Sequence, residues 1–417
     1  MDTSSQRAGG AASRHEDVGE WTREPGIGPC EGSDRASLKT GGTAEGPTFR
    51  PGRTVGHIAG AAQTVHQVAS SSPDIAPGAL AIVARGESLT RDQARVFMAA
   101  VLDGEVTPAQ LGGVLLAIRV RTETTDELAG FVESMRARVL VVDAPEGAID
   151  TCGTGGDVHG TFNISTATSI VTAAAGVPVA KHGNRAVSSQ SGSSDAIASL
   201  GLTVEQTVEA AEGSLRETGY AYLHAPAFHP GMRHAGPVRR ELGVRTAFNL
   251  CGPMANPALV TRQLMGVPDE MSAERVAQVL HAIGVERAFV VHGDRIDELP
   301  LDDSGVYFEV TPTGIRRHTV TAEDAGLRRA ETSALAGGDG AANAAIIRAI
   351  FEGTETGPRH DVVALNAGAA LVVAGRADTI RQGVDLASET IRSGAAAELL
   401  ARLQARAWSP EHTGDQR

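Results

Sequence analysis

The chain has 417 residues and a formal net charge of -13, with 41% hydrophobic and 21% charged residues. That length and apolar content fit two or three domains with sizeable cores, in an Ala-, Gly- and Val-rich α/β composition. The acidic balance argues against general nucleic-acid binding, and no run approaches the roughly 20 apolar residues of a membrane span.

The N-terminus carries no apolar signal region, so a cytoplasmic protein is expected. Cys30, Cys152 and Cys251 are far apart, odd in number and without metal-ligand spacing, which predicts reduced thiols. Any anionic ligand must then be held by a local cluster.

Residues 1–72 are rich in Gly, Ser, Thr, Arg and Glu and lack an apolar period, so they read as a disordered extension. The alternative is a short regulatory segment that folds on a partner. Residues 73–147 read as a small helical domain. Thr90-Arg-Asp-Gln93, Thr107-Pro-Ala-Gln110 and Thr124-Thr-Asp-Glu127 are capping boxes, each ahead of a run such as Leu111, Val114, Leu115 and Ile118. Gly86 and Gly104 stand where helices would stop.

From residue 148 to 417, short apolar strands alternate with helical runs. Strands are predicted at 148–151, 177–181, 220–223, 264–267 and 288–292, and helices at 165–175, 204–217 and 273–283. A hairpin of 306–310 and 315–320 turns at Thr313-Gly314, and the end is helical from about Ala341. The expected fold is α/β: a small N-terminal helical domain plus a large domain with a mostly parallel sheet covered by helices. Ligands of such sheets bind beyond the carboxyl ends of the strands.

Five loops at those ends carry polar chemistry. Cys152-Gly-Thr-Gly-Gly-Asp157 can form a concave nest of amides for an anion or simply a tight turn; it is neither a Walker loop nor a dinucleotide fingerprint. Asn163 or Ser165 of Phe162-Asn-Ile-Ser-Thr166 can cap a helix whose free amides suit phosphate. Lys181-His-Gly-Asn-Arg-Ala-Val-Ser-Ser-Gln-Ser-Gly-Ser-Ser-Asp195 offers two cations, an imidazole and many hydroxyls, with no acid before Asp195. Lys181 can neutralise a diphosphate, the serines can donate to phosphate oxygens, and Asn184 can bridge to a second substrate. His229, Arg233, Arg239 and Arg240 crowd the fourth loop, where one arginine could hold a carboxylate. Asp297-Glu298 in the fifth is either a wet loop or a Mg²⁺ site facing a diphosphate.

Gly153-Thr-Gly-Gly-Asp157, Asn163-Ile-Ser-Thr166, Lys181-His-Gly-Asn-Arg185 with Ser-Gly-Ser-Ser-Asp195, Arg245-Thr-Ala-Phe-Asn-Leu-Cys-Gly-Pro-Met-Ala-Asn-Pro257 and Ile296-Asp-Glu298, in this order, resemble the anthranilate phosphoribosyltransferases over about residues 76–408. The resemblance implies transfer of phosphoribosyl from phosphoribosyl pyrophosphate to anthranilate in tryptophan biosynthesis, with Mg²⁺, in a homodimer joined through the helical part. No nucleic-acid or membrane partner is expected. Part of about 228–257 should pack on the helical domain. The implied donor-binding residues are Gly153, Gly155, Gly156, Asp157, Asn163, Ser165, Thr166, Lys181, Ser189, Ser191, Gly192 and Ser193. Anthranilate falls to Gly153, His182, Asn184, His229 and Arg239, and the metal to Ser165, Asp297 and Glu298. No residue is assigned as a chemical catalyst. Cys251 and Met254 stand where the family usually has Leu, and Ser194 where it usually has Ala, all conservative departures.

Two rival readings have distinguishing marks. A pyrimidine nucleoside phosphorylase would carry a Lys-His-Ser-Gly-Gly type loop, against Lys181-His-Gly-Asn184 here. A non-catalytic nucleic-acid-binding relative should be basic along its cleft, whereas this chain is acidic and keeps Arg239.

Overall fold

A computed structural model describes residues 74–155, 160–185, 191–293 and 296–407. The expected extension 1–72 and the candidates Gly156, Asp157 and Ser189 lie outside the described residues, as does Cys30. Cys152 and Cys251 are buried free thiols.

Four helices come first: α1 (Ile75–Ala84), α2 (Arg91–Asp103), α3 (Pro108–Arg121) and α4 (Thr125–Arg136). Each of α2, α3 and α4 starts on its capping box. The hydroxyl of Thr90, Thr107 or Thr124 accepts an amide three residues on, and Gln93, Gln110 or Glu127 returns the bond. Glu127 has a second role. Buried completely, it accepts from Leu89 N at 3.0 Å and from Arg121 Nη2 at 2.6 Å, which ties α4 to the entry of α2 and the end of α3.

The remainder alternates strand and helix: β1 (Ile149–Gly153), α5 (Ile164–Ala174), β2 (Val179–Gly183), α6 (Ser193–Ser199), α7 (Val208–Thr218), β3 (Tyr220–His224) and the short α8 (Ala225–Phe228). Next come α9 (Gly236–Leu242), α10 (Ala247–Met254), β4 (Arg262–Gly266), α11 (Glu270–Ala282), β5 (Arg287–His292), β6 (Gly305–Thr311) and β7 (Gly314–Val320). Four helices close the chain: α12 (Gly340–Phe351), α13 (Pro358–Val373), α14 (Ile380–Arg392) and α15 (Ala395–Ala407).

Among the described residues the strands form one sheet in the order β3-β2-β1-β4-β5-β6-β7. The first five are parallel, and the β6–β7 hairpin joins β5 antiparallel. The chain winds outward from β1 to β3, then crosses back to β4. The strand order therefore reverses between β1 and β4, where a crevice opens at the carboxyl ends. β1 and β2 run two residues further toward that crevice than the apolar pattern predicts, because polar Cys152–Gly153 and His182–Gly183 are themselves strand.

Two large apolar clusters hold the layers. One joins α1–α4 to α10, α11 and one sheet face; the other fills the space between the opposite face and α5, α13, α14 and α15. α9 packs on α3, and α10 on α3 and α4, so the segment after β3 leans on the bundle. α13 and α14 cross with their backbones in contact, since a Cβ on Gly383 would overlap the carbonyl oxygen of Gly368. Two residues before that crossing, Asn366 clamps Leu299, accepting its N–H and donating to its carbonyl at 3.0 Å each.

Candidate active site

Lys181 lies midway along β2, next to β1, and is 1% exposed. Its Nζ donates to Thr151 O at 2.6 Å and to Ser165 Oγ at 3.3 Å, which places the ammonium against the first turn of α5. Burial pulls its pKa below the ordinary lysine value, and the negative charge of Asp150 opposes that pull. Asp150 is fully buried, and burial raises its carboxyl to about 6 against the influence of Lys181. Its oxygens accept from His182 N at 3.1 Å and Gln263 Nε2 at 3.4 Å, and Gln263 also donates to Pro253 O at 2.8 Å. One buried acid thus links β2, β4 and α10 beneath the crevice.

The Gly-rich turn after β1 is held on both sides. Thr154 N donates to Gly266 O at 3.0 Å and Gly155 N to Asp297 Oδ2 at 3.1 Å, while Arg245 donates to Gly155 O at 3.1 Å and Thr154 O at 3.4 Å. The amide of Gly155, offered to an anion by the sequence pattern, is therefore turned to Asp297. The acid segment approaches so closely that a Cβ on Gly266 would overlap the Asp297 carbonyl, and one on Gly153 would stand 2.8 Å from Asp297 Oδ2. Asp297 is 5% exposed. Together with Glu298, Thr151, Ser165 and Gly266 it lines a small cavity between β1, β4 and α5. Two carboxylates and a hydroxyl on one cavity form a hard-oxygen set suited to Mg²⁺. No group of three or more His, Cys, Asp or Glu with metal-holding geometry occurs among the described residues.

Asn163 takes the N-cap position of α5 without the capping bond expected of it or of Ser165. α12 competes for it: Asn343 Nδ2 donates to Asn163 Oδ1 at 2.8 Å, and Asn163 Nδ2 reaches Ser191 O at 3.4 Å. Thr166 is fully buried. α6 starts at Ser193, with Gly192 N bonded to Asp195 Oδ2 at 2.9 Å. Ser193 Oγ donates to Asn184 O at 3.1 Å and pairs with the Tyr222 hydroxyl at 3.0 Å, which fastens the start of the loop to its end. Asn184 itself is exposed.

His182 and His229 pack against each other with ring centroids 5.2 Å apart and their planes tilted by 41°. Both are 6% exposed, and neither Nε2 has a hydrogen-bond partner. Burial holds the His182 imidazole well below its usual pKa and His229 at about 4, so both are neutral at pH 7. Arg239 on α9 is half-buried, with its guanidinium carbon 5.1 Å from the Phe248 ring centroid, and burial lowers its pKa. It makes no ion pair with a described residue; adjacent Arg240 is exposed.

The donor and metal candidates Lys181, Ser165, Asp297 and Glu298 thus meet around one crevice, and His182 and His229 adjoin it. Five participants escaped assignment from the sequence: Asp150, Gln263, Arg245, Asn343 and Asn366. All are polar residues whose partners lie far along the chain. Only Arg245 stood within a quoted motif.

Residues 145–397 match the family model described as glycosyl transferase family, a/b domain, and residues 77–139 match its helical bundle domain. Fold and crevice together thus define a glycosyl transferase built from a bundle and a parallel sheet. Anthranilate phosphoribosyltransferases of Afipia carboxidovorans and Azorhizobium caulinodans are 49% and 48% identical over 78% and 77% of this chain, and 97% and 93% of their own lengths. The crystal structure of anthranilate phosphoribosyltransferase from Thermus thermophilus matches with a TM-score of 0.75 at 40% identity, covering 79% of this chain and 99% of that one. The Saccharomyces cerevisiae protein of the same name, solved in complex with PRPP and Mg, shares the fold at a TM-score of 0.73 and 23% identity, over 80% and 97% of the two chains. The chain belongs to the anthranilate phosphoribosyltransferase family.

Proposed function

We propose that the protein transfers the phosphoribosyl group of phosphoribosyl pyrophosphate to the amine of anthranilate, giving N-(5-phosphoribosyl)anthranilate and diphosphate for tryptophan biosynthesis. The observation that carries this reading is a buried lysine bonded to Ser165, which lines one cavity with two carboxylates at the strand-order reversal, near a pair of neutral imidazoles.

The aryl amine is neutral at pH 7 and needs no strong base. The demand lies in C1–O cleavage, which leaves positive charge on the ribose and negative charge on diphosphate. Lys181, fixed by Thr151 O and Ser165 Oγ, meets that negative charge without reorganising. Ser165, Asp297 and Glu298 would hold Mg²⁺, which would supply positive charge to stabilise the departing diphosphate. Gly153, Gly155, Asn163, Thr166, Ser191, Gly192 and Ser193 belong to the segments that receive the rest of the donor. His182, Asn184, His229 and Arg239, with Gly153, position the acceptor amine near C1, and that positioning supplies the remaining rate.

The exposed apolar residues Leu116 and Val120 on α3 support a homodimer joined through the bundle. No helix of the described residues is long and apolar enough to cross a membrane. The decisive assay incubates purified protein with donor and Mg²⁺ and offers anthranilate, thymine or uracil. Product from anthranilate alone is expected; turnover of a pyrimidine would replace this reading.

A further inference from the structure

Arg245 lies between α9 and α10 and has no part in the roles above. Its guanidinium spans the two carbonyls of the Gly-rich turn, Gly155 O at 3.1 Å and Thr154 O at 3.4 Å. Gly266 O and Asp297 Oδ2 hold the two amides of the same residues. All four backbone polar atoms of Thr154 and Gly155 thus have fixed partners, and Arg245 provides half of them.

Without that cation, two carbonyl dipoles would turn their negative ends loose beside the place where a diphosphate is to sit. Gly155, at φ 69° and without a side chain, would also be free to rotate its peptide. Burial opposes the charge on Arg245, whereas Asp297 and Asp269 favour it; Arg119, at the end of α3, disfavours it. The residue therefore stands at a seam where the bundle, the acid segment and the turn meet. It also follows Arg239 by six residues and precedes Phe248, on which Arg239 lies, by three.

We propose that Arg245 is a positioning residue for the sugar-phosphate donor: from the acceptor-binding segment, it fixes the turn at residues 153–155 and cancels the carbonyl field there. The inference rests on the donor reading given above.

The test titrates phosphoribosyl pyrophosphate with Mg²⁺ into the full chain by calorimetry. Wild type is compared with Arg245→Ala, Arg245→Lys, Asp297→Asn and the Arg245→Ala/Asp297→Asn double variant. Arg245→Ala should weaken donor binding about tenfold or more, the scale of losing charge-assisted bonds. Arg245→Lys, which keeps the charge but not the fork, should fall between, and millimolar guanidinium should restore part of the loss in Arg245→Ala. The anthranilate KM should stay within about twofold of wild type, well under a tenfold effect. Because Arg245 and Asp297 grip one turn, the double variant should lose less than the two single losses combined. Wild-type donor affinity in a folded Arg245→Ala or Arg245→Lys protein, a loss confined to anthranilate, or full additivity would overturn the inference. A wild-type chain that fails to bind the donor would overturn the donor reading instead.

Discussion

Arg239 and Arg240 are neighbours in sequence with different surroundings. One is half-buried against Phe248 with no ion pair to a described residue, and the other is exposed. A guanidinium held without an acid is placed to meet a ligand carboxylate, and a planar fork suits anthranilate. Arg239→Ala should raise the anthranilate KM about ten- to a hundredfold, from the roughly 1.5–3 kcal/mol of a charge-assisted bond. Arg240→Ala should leave it unchanged, and equal behaviour of the two in steady-state kinetics would move the carboxylate elsewhere. Asp297 and Glu298 should separate as well. Both Asp297→Asn and Glu298→Gln are expected to shift the Mg²⁺ titration of the rate, but Asp297 alone also anchors Gly155 N. Asp297→Asn should therefore raise the donor KM more than Glu298→Gln does. The histidines make a statement about pH. In the unfolded chain they titrate near 6.5, and His229 titrates at about 4 when folded, so the folded state binds fewer protons in between. Stability from this source is complete above pH 6.5 and is lost as pH falls toward 4; Asp150, raised to about 6, works in the opposite direction. The melting temperature of His229→Asn should fall less steeply than that of wild type across this window.

At the scale of elements, the capping boxes were legible because cap and partner lie three residues apart. Their removal should cost what exposed caps cost: Thr107→Ala should lose about 1 kcal/mol in urea unfolding. Glu127 is a box member by sequence and a buried hub by structure. Glu127→Ala should cost about 3 kcal/mol, because the Arg121 pair would be broken and Leu89 N would lose its buried acceptor. The strands were legible as apolar runs, and the reading failed where function begins. β1 and β2 continue through Cys152–Gly153 and His182–Gly183, polar or small residues with no apolar period. The start of α6 carries no local mark, because its N-cap is Gly192, which has no side-chain signal of its own.

For the molecule as a whole, the mostly parallel sheet with its edge hairpin and the polar loops at the strand ends could be read from local patterns. The supports beneath could not: Asp150 with Gln263 bridges 113 residues, and Asn163 with Asn343 bridges 180. A polar residue whose partner is that distant leaves no pattern in a short window. The crossing of α13 and α14 extends the same logic to a surface remote from the chemistry. Gly383 and Gly368 touch through backbone atoms, and Asn366, half a turn along α13, grips the residue after the acid pair. The crossing is a lever with its short arm in the crevice. Gly383→Ala would force the helices apart and tilt Leu299, with Glu298 attached. Such a lesion would pass as a well-expressed, soluble protein and betray itself as a Mg²⁺ requirement raised above wild type, steeper on warming. A Mg²⁺ titration at two temperatures checks it, and a variant indistinguishable from wild type at both would show that the lever does not reach the acids.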